Sequence, residues 1–409
     1  MTIDESDPIE RAIKFGLRPR TFIRDGQCIR FVMTLEAIAK RIAALIPENP
    51  LRAVALYEEF IAGCRLKAEE LDDSSGAFAT FAQDLICESI KASQAAGSAP
   101  GEIVARLLAR MDDDPFSFCS EIEKTAVNVL DEPGLSAFAA RIRERYDTAE
   151  GYRRTQYDRM LRAIYRMQSD TEIYLAFAEE TGVTSADCLA LATILLSRRK
   201  TANALKWVER GIEIERDRRI RSSLAHELEK LHRQLLVELG RGGEALESAW
   251  AAYLAVPAMY TFQTLMKFVP EADRAHWRAR AIAASKTADL NSRIDLYVSL
   301  DELDLLAETV RLATPAELTA IYEHIIQPAA VELDTRHPEA AARLWCVQGM
   351  RIVDGKDSKR YRAAVAHLAN AKRCFERAGM QSEWAALVPR VRAAHFRKMI
   401  FMAGFEAIA

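Results

Sequence analysis

Several residue groups in this 409-residue sequence could do chemistry, and each lacks a part that the chemistry needs. The densest carboxylates, Asp112-Asp113-Asp114 and Asp72-Asp73, are ligands of the kind calcium takes. A calcium loop needs further oxygens at loop spacing and a distal glutamate, and neither cluster is followed by that pattern. Asp114-Pro115 reads instead as a cap and first-turn proline, opening a helix through Phe118, Ile122 and Val127. His226-Glu227 begins the paired-histidine motif of zinc proteases, but Lys230 stands where the second histidine belongs. His232 falls on the opposite side of a helix. Gly240-Arg241-Gly242-Gly243 follows a helical pattern with no lysine-serine pair after it, so it predicts a tight turn between helices rather than a phosphate loop. The seven cysteines are never closer than 23 residues, which rules out the paired spacing of zinc knuckles and redox motifs. Reduced, buried thiols are expected. No serine or cysteine occupies a nucleophile elbow. The expectation is a protein that is not an enzyme and has no metal site or cofactor.

Binding chemistry is better represented. Tyr165, Tyr174, Trp207, Trp250 and Tyr253 are candidate anchors for a partner, since interface energy concentrates in aromatic side chains. Each competes with a role in packing between helices. Arg198-Arg199-Lys200 is a short basic run that could follow a phosphate backbone. A second group, Arg210, Arg216, Arg218, Arg219 and Arg221, is interleaved with Glu209, Glu213, Glu215 and Asp217, which weakens its field. Arg397 and Lys398, beside His395 and Phe396, could line a basic groove, with His395 half-buried against a neighbouring helix as the alternative.

These residues sit in a chain with almost no strand signal. Asp187–Glu215 predicts a helix pair: Cys188, Leu191, Ala192 and Leu195 share one face, and Ala204, Val208 and Gly211 share the next. Small residues at that spacing let two helices touch, as in tetratricopeptide-like repeats. Ser169/Glu172, Thr184/Asp187 and Thr314/Glu317 have capping-box spacing. Gly240, Ala245, Ala249 and Pro257 match a degenerate repeat with its turn and terminator. The last third continues with Tyr361, Ala364, Leu368, Ala371 and Phe375, then Trp384, Leu387 and Val391, and a terminal helix with Phe396, Ile400 and Phe405. Earlier in the chain, helices are expected at 31–46, at 51–71 and up to about residue 93. Residues 1–30, with Arg11, Lys14, Arg18, Arg20, Arg24 and Arg30, read as a short helical start and a basic arm. The division expected is therefore an arm at 1–30, a helical domain at 31–150 and a repeat superhelix at 151–409.

Composition fits this all-α reading. Half of the residues are hydrophobic and 28% are charged, and there are only 17 glycines and 13 prolines. The N-terminus carries Asp4, Glu5 and Asp7 rather than a secretory signal. No apolar run approaches the roughly 18–20 residues that span a bilayer, so a cytoplasmic protein with no membrane partner is expected. A net charge of −3 implies no general attraction to nucleic acid. The charge is unevenly placed, however. Residues 351–400 hold twelve basic and four acidic side chains, while residues 51–150 hold nineteen acidic and ten basic ones. Opposite ends of this kind suit head-to-tail association of copies, or an acidic partner at the basic end.

The stretches DDSSGAF, MDDDPFSFC, ALATILLSRRK, LMKFVP, RLWCVQGMRIV and AKRCFERAG resemble an uncharacterised proteobacterial family known only as a domain of unknown function. The resemblance runs from about Phe31 to Phe405 and implies a helical scaffold. Tyr361–Arg377 and the region of His395 also resemble the helical part of bacterial SWIM-type zinc-finger proteins. The zinc motif of those proteins begins with a Cys-x-Cys that this chain does not contain, so the resemblance implies the scaffold without the metal. The function expected is a scaffold that holds a protein or peptide in its groove. The alternative is a nucleic-acid-associated protein using the basic arm and the basic C-terminal third.

Overall fold

The structure is a computed structural model that describes residues 7–18, 22–216, 222–355 and 358–409. Among these residues there are 23 α-helices and four short 3-10 turns, and no strand forms beyond one isolated bridge between Ile23 and Leu71. The fold is all-α, and many successive helices pack against each other as pairs. Contacts divide the chain into two compact units, Met1–Glu229 and Lys230–Ala409. That boundary lies inside the helix Ser223–Glu238, whereas the sequence suggested one near residue 150.

In the first unit the described part of residues 1–30 is a packed element rather than an arm. Asp7 caps the helix Pro8–Gly16 by accepting from the Ile9 amide at 2.7 Å, and Pro8 opens its first turn. Ile9 and Ile13, one turn apart, are buried in the core. Arg52, from the helix Pro50–Lys67, pairs with Asp7 at 3.1 Å and with Glu10. The next helix, Asp25–Ala43, begins before Phe31. Arg20, Asp4 and Glu5 lie outside the described residues. Behind these helices Phe60 and Phe81 meet edge to face at 5.5 Å, and Phe78 meets Phe118 at 6.0 Å.

Two expected caps differ in the structure. The Asp114 carboxylate accepts from the Phe118 and Cys119 amides at 2.8 and 2.7 Å, but the segment after it stays in turns and the helix is only Ile122–Ala126. Ser117, at φ 58°, interrupts the right-handed run that a longer helix would need. Ser169 is a C-cap rather than the expected N-cap. It sits at φ 57°, ending the helix Gly151–Gln168, and an N-cap needs extended backbone. Asp170 caps instead, accepting from Glu172 at 2.9 Å.

The helix pair at Asp187–Glu215 forms as its spacing implies, as Ser185–Ser197 and Thr201–Arg216. Thr184 and Asp187 make a reciprocal capping box, and Ala192 and Ala204 are fully buried. A Cβ on Gly211 would come within 3.0 Å of Cys188 and of Leu228, so only glycine lets these helices approach so closely. The first helix ends on a left-handed residue, Arg199, with the Lys200 amide donating to the Leu195 carbonyl at 2.9 Å. The same closing turn recurs at Gly97, Gly240, Asp301 and Gly379.

In the second unit Ala245 and Ala249 are buried on the helix Gly242–Ala255, and Pro257 is buried beyond its end. Thr314 and Glu317 form the expected capping box. The helices Pro338–Asp354 and Tyr361–Arg377 meet at Gly349, where a Cβ would fall 2.8 Å from Leu368 and 3.1 Å from the Ala364 carbonyl. The terminal segment is in a different register from the one expected. The chain breaks between His395 and Met399, so Phe401 and Phe405 enter the core while Phe396 and Ile400 are 62% and 73% exposed.

Candidate functional site

Much of the basic excess at 351–400 has internal partners. The carboxyl end of a helix presents unpaired carbonyls and the negative end of its dipole, so a cation there is stabilising. Arg351 donates to the Thr319 carbonyl at 2.7 Å, Arg377 to that of Thr335 at 3.2 Å, and Lys372 to that of Ile408 at 2.8 Å. Lys398 donates to the Val353 carbonyl. Arg360 pairs with Glu323, Arg373 with Asp334 and Arg392 with Glu406. Arg343, just upstream, reaches the Val310, Arg311 and Ala313 carbonyls at 2.6–2.8 Å. Of the pair proposed as a basic groove, Lys398 is therefore a helix-end ligand, and exposed Arg397 lies 5.3 Å over its neighbour Phe396. His395 is buried, with Nε2 3.4 Å from Asp354. Burial first, then Lys398, lowers its pKa below the usual histidine range.

The run Arg198-Arg199-Lys200 is likewise structural in part. Arg198 donates to the Ser169 carbonyl and to Thr171, and Arg199 is the left-handed turn residue. Lys200 closes that turn through its backbone while its side chain is exposed. Arg210 lies 5.1 Å over Trp207, which is half-buried. Arg218, Arg219, Arg221 and Asp217 lie outside the described residues.

Tyr165 and Tyr174 belong to a closed cluster in the first unit. Tyr165 meets Phe177 edge to face at 5.6 Å. The Tyr174 hydroxyl donates to Asp187 at 2.8 Å, and burial, then the Asp187 charge, raises its pKa. Asp187, 1% exposed, also pairs with Arg162. Burial alone would raise the Asp187 pKa, but hydrogen bonds from Thr184, Arg162 and Tyr174 outweigh it and hold the carboxyl below the usual range.

Trp250 and Tyr253 sit in a different setting, brought together with two residues that sequence reasoning missed. Trp277 meets Trp250 at 5.4 Å in an edge-to-face pair, and Tyr253 stacks on Trp250 at 5.7 Å. Tyr253 is fully buried and donates to the Ala281 carbonyl at 2.8 Å, which fixes the helix Arg274–Ala284 against Gly242–Ala255. Burial, then the nearby Tyr297, pushes the Tyr253 hydroxyl up to about 12. Both tryptophans are half-buried. The Arg280 guanidinium carbon lies 4.4 Å from the Trp250 ring and 4.6 Å from the Trp277 ring. Arg280 is exposed, and no hydrogen bond or ion pair reaches it from the described residues. The signal available in the sequence was Trp277-x-x-Arg280, two large side chains on one helical face.

Among the described residues, no three His, Cys, Asp or Glu side chains form a group that could hold a metal ion. None of their helices is long and apolar enough to cross a membrane. Helices that follow one another along the chain pack together, among them Ser185–Ser197 on Thr201–Arg216 and Pro338–Asp354 on Tyr361–Arg377, which makes an all-α protein built from helix pairs. The chain belongs to a family of unknown function, DUF6880, whose model matches residues 143–403. The match begins well after Phe31, so it covers the later part of the stretch expected from the resemblance. Among solved structures, a chain in the structure of Naa15/Naa10 bound to HypK-THB is similar at 15% identity, with a TM-score of 0.36. The similarity covers 95% of this chain and 64% of that one, so this protein spans less than two thirds of that neighbour's length. No curated protein matches the chain.

Proposed function

We propose that this protein is a non-enzymatic helical-repeat scaffold that acts in the cytoplasm and binds a protein or peptide partner. The observation that carries the reading is the Trp250–Trp277–Arg280 cluster. It places two half-exposed indoles and an unpaired guanidinium on rigid helices, and tryptophan and arginine are the residue types in which interface energy concentrates. Holding them in place before binding reduces the side-chain entropy lost on association. Nucleic-acid binding through the basic arm and the C-terminal third, and head-to-tail self-association, have less support, because many cations of the C-terminal region face helix ends and internal carboxylates.

Affinity capture from the source cell, with and without nuclease, tests the reading. A protein partner retained after nuclease and at moderate salt is expected. Capture that is lost with nuclease, or that falls steeply as salt rises, would favour a nucleic-acid role instead.

A further inference from the structure

Arg280 lies over two indole rings and differs from the other arginines of its helix. Its neighbours on the helix Arg274–Ala284 have acids of their own: Arg274 pairs with Glu271 at 2.8 Å, and Arg278 pairs with Glu302 at 2.7 Å. Arg280 has none among the described residues, and Glu247, one turn before Trp250, does not come within ion-pair distance. The two indoles hold the guanidinium over their faces and leave its N–H edge open. A planar guanidinium held in this way is set up to bind a carboxylate through two parallel hydrogen bonds, and the rings lower the local dielectric around it. Leu254, 48% exposed and one turn along from Trp250 on the same helical face, adds an apolar contact.

Resting on the scaffold reading above, we infer that Trp250, Trp277 and Arg280 form a docking point for a glutamate or aspartate side chain in an acidic peptide segment that also carries apolar residues. The charge count favours a carboxylate over a phosphate. A phosphate dianion calls for several cations, whereas this site offers one unpaired guanidinium beside two that are already neutralised.

Fluorescence polarisation with labelled synthetic peptides tests this on the full chain. The probe is a Gly-Leu-Glu-Glu repeat. Its controls are the same repeat with glutamine for glutamate and with phosphoserine for glutamate. The glutamate repeat should bind, and the glutamine repeat should bind at least about tenfold more weakly, the scale of a charge-assisted hydrogen-bond pair. Arg280→Gln should remove that difference, and Arg280→Lys should restore only part of it because the bidentate geometry is lost. Far-UV circular dichroism of each variant checks that it remains folded. Equal binding of the glutamate and glutamine repeats, unchanged binding by Arg280→Gln, tighter binding of the phosphoserine repeat, or no binding of the glutamate repeat would each overturn the inference. A protein partner retained in the nuclease-treated capture alongside any of those results would leave the scaffold reading standing.

Discussion

Two clusters in this protein are built from the same parts, arginines over aromatic rings, and they end in opposite chemical states. In the first unit Arg162 lies 5.6 Å over Phe177 and is bound by Asp158, Asp187 and Thr181. Arg143 lies over Tyr146 and the same Phe177, with its fork filled by Glu180 at 2.7 and 2.9 Å. In the second unit Arg280 makes two ring contacts of 4.4 and 4.6 Å and no ion pair among the described residues. The ring contact alone does not mark a binding site. What separates the two clusters is whether the guanidinium edge is saturated: in the first carboxylates fill it, and in the second no ion pair among the described residues does.

The largest expected effect tests the structural half of that contrast. Asp187→Ala would leave Arg162 without its buried carboxylate, Tyr174 without an acceptor and the Thr184 amide without its half of the capping box. A loss of about 3–5 kcal/mol is expected in denaturant melts, the range for breaking a buried pair from one side. The acid limb of stability should change as well. Asp187 has a folded pKa below its unfolded value, so its contribution is complete above the unfolded value of about 3.9 and disappears as pH falls through the lower folded value. The variant should lack that component of the acid dependence below about pH 4. Arg280→Gln should instead cost no more than about 1–2 kcal/mol, the scale of two cation–π contacts near the surface. Equal losses from the two substitutions would erase the distinction.

Overpacking should rank next. Leucine at Ala192 or Ala204 would force apart the hairpin that carries Asp187, at about 1–3 kcal/mol, and Gly349→Ala should cost a similar amount in the second unit. Thermal melts matching the parent would mean that neither helix contact is as close as described. The smallest effect concerns the turn after Ser197. Arg199 occupies a left-handed position that glycine fills at Gly97, Gly240 and Gly379, so Arg199→Gly should stabilise by up to about 1 kcal/mol. A lower melting temperature would mean that the arginine side chain contributes more there than its backbone conformation costs.

The legible parts of the sequence were local ones. Helical periodicity and small-residue spacing located the Ser185–Ser197 hairpin, and capping chemistry was right at Thr184 and Thr314 because both partners lie within one turn. It failed at Ser169, where the serine ends one helix and its neighbour Asp170 starts the next. The break before Met399 carries no proline or glycine to announce it, and the expected stripe through Phe396 and Ile400 continued across it. At the site, Trp250 and Tyr253 were recognisable as aromatics. Their partnership with Trp277 and Arg280 depends on two separate helices meeting, which no local pattern encodes. The internal partners of the basic C-terminal stretch were hidden for the complementary reason: the carbonyls and carboxylates that occupy Arg351, Arg360, Arg377 and Arg392 are supplied by other elements.

Site-specific photo-crosslinking in the source cell tests the central claim most directly. A photoreactive residue is placed at exposed Leu254, beside the open cluster, and in a second version at exposed Ile173, beside Tyr174 in the saturated cluster of the first unit. A discrete protein adduct is expected from position 254 that Arg280→Gln removes, and no discrete adduct from position 173. Adducts from position 173 alone, or a position-254 adduct that survives Arg280→Gln, would contradict the contrast.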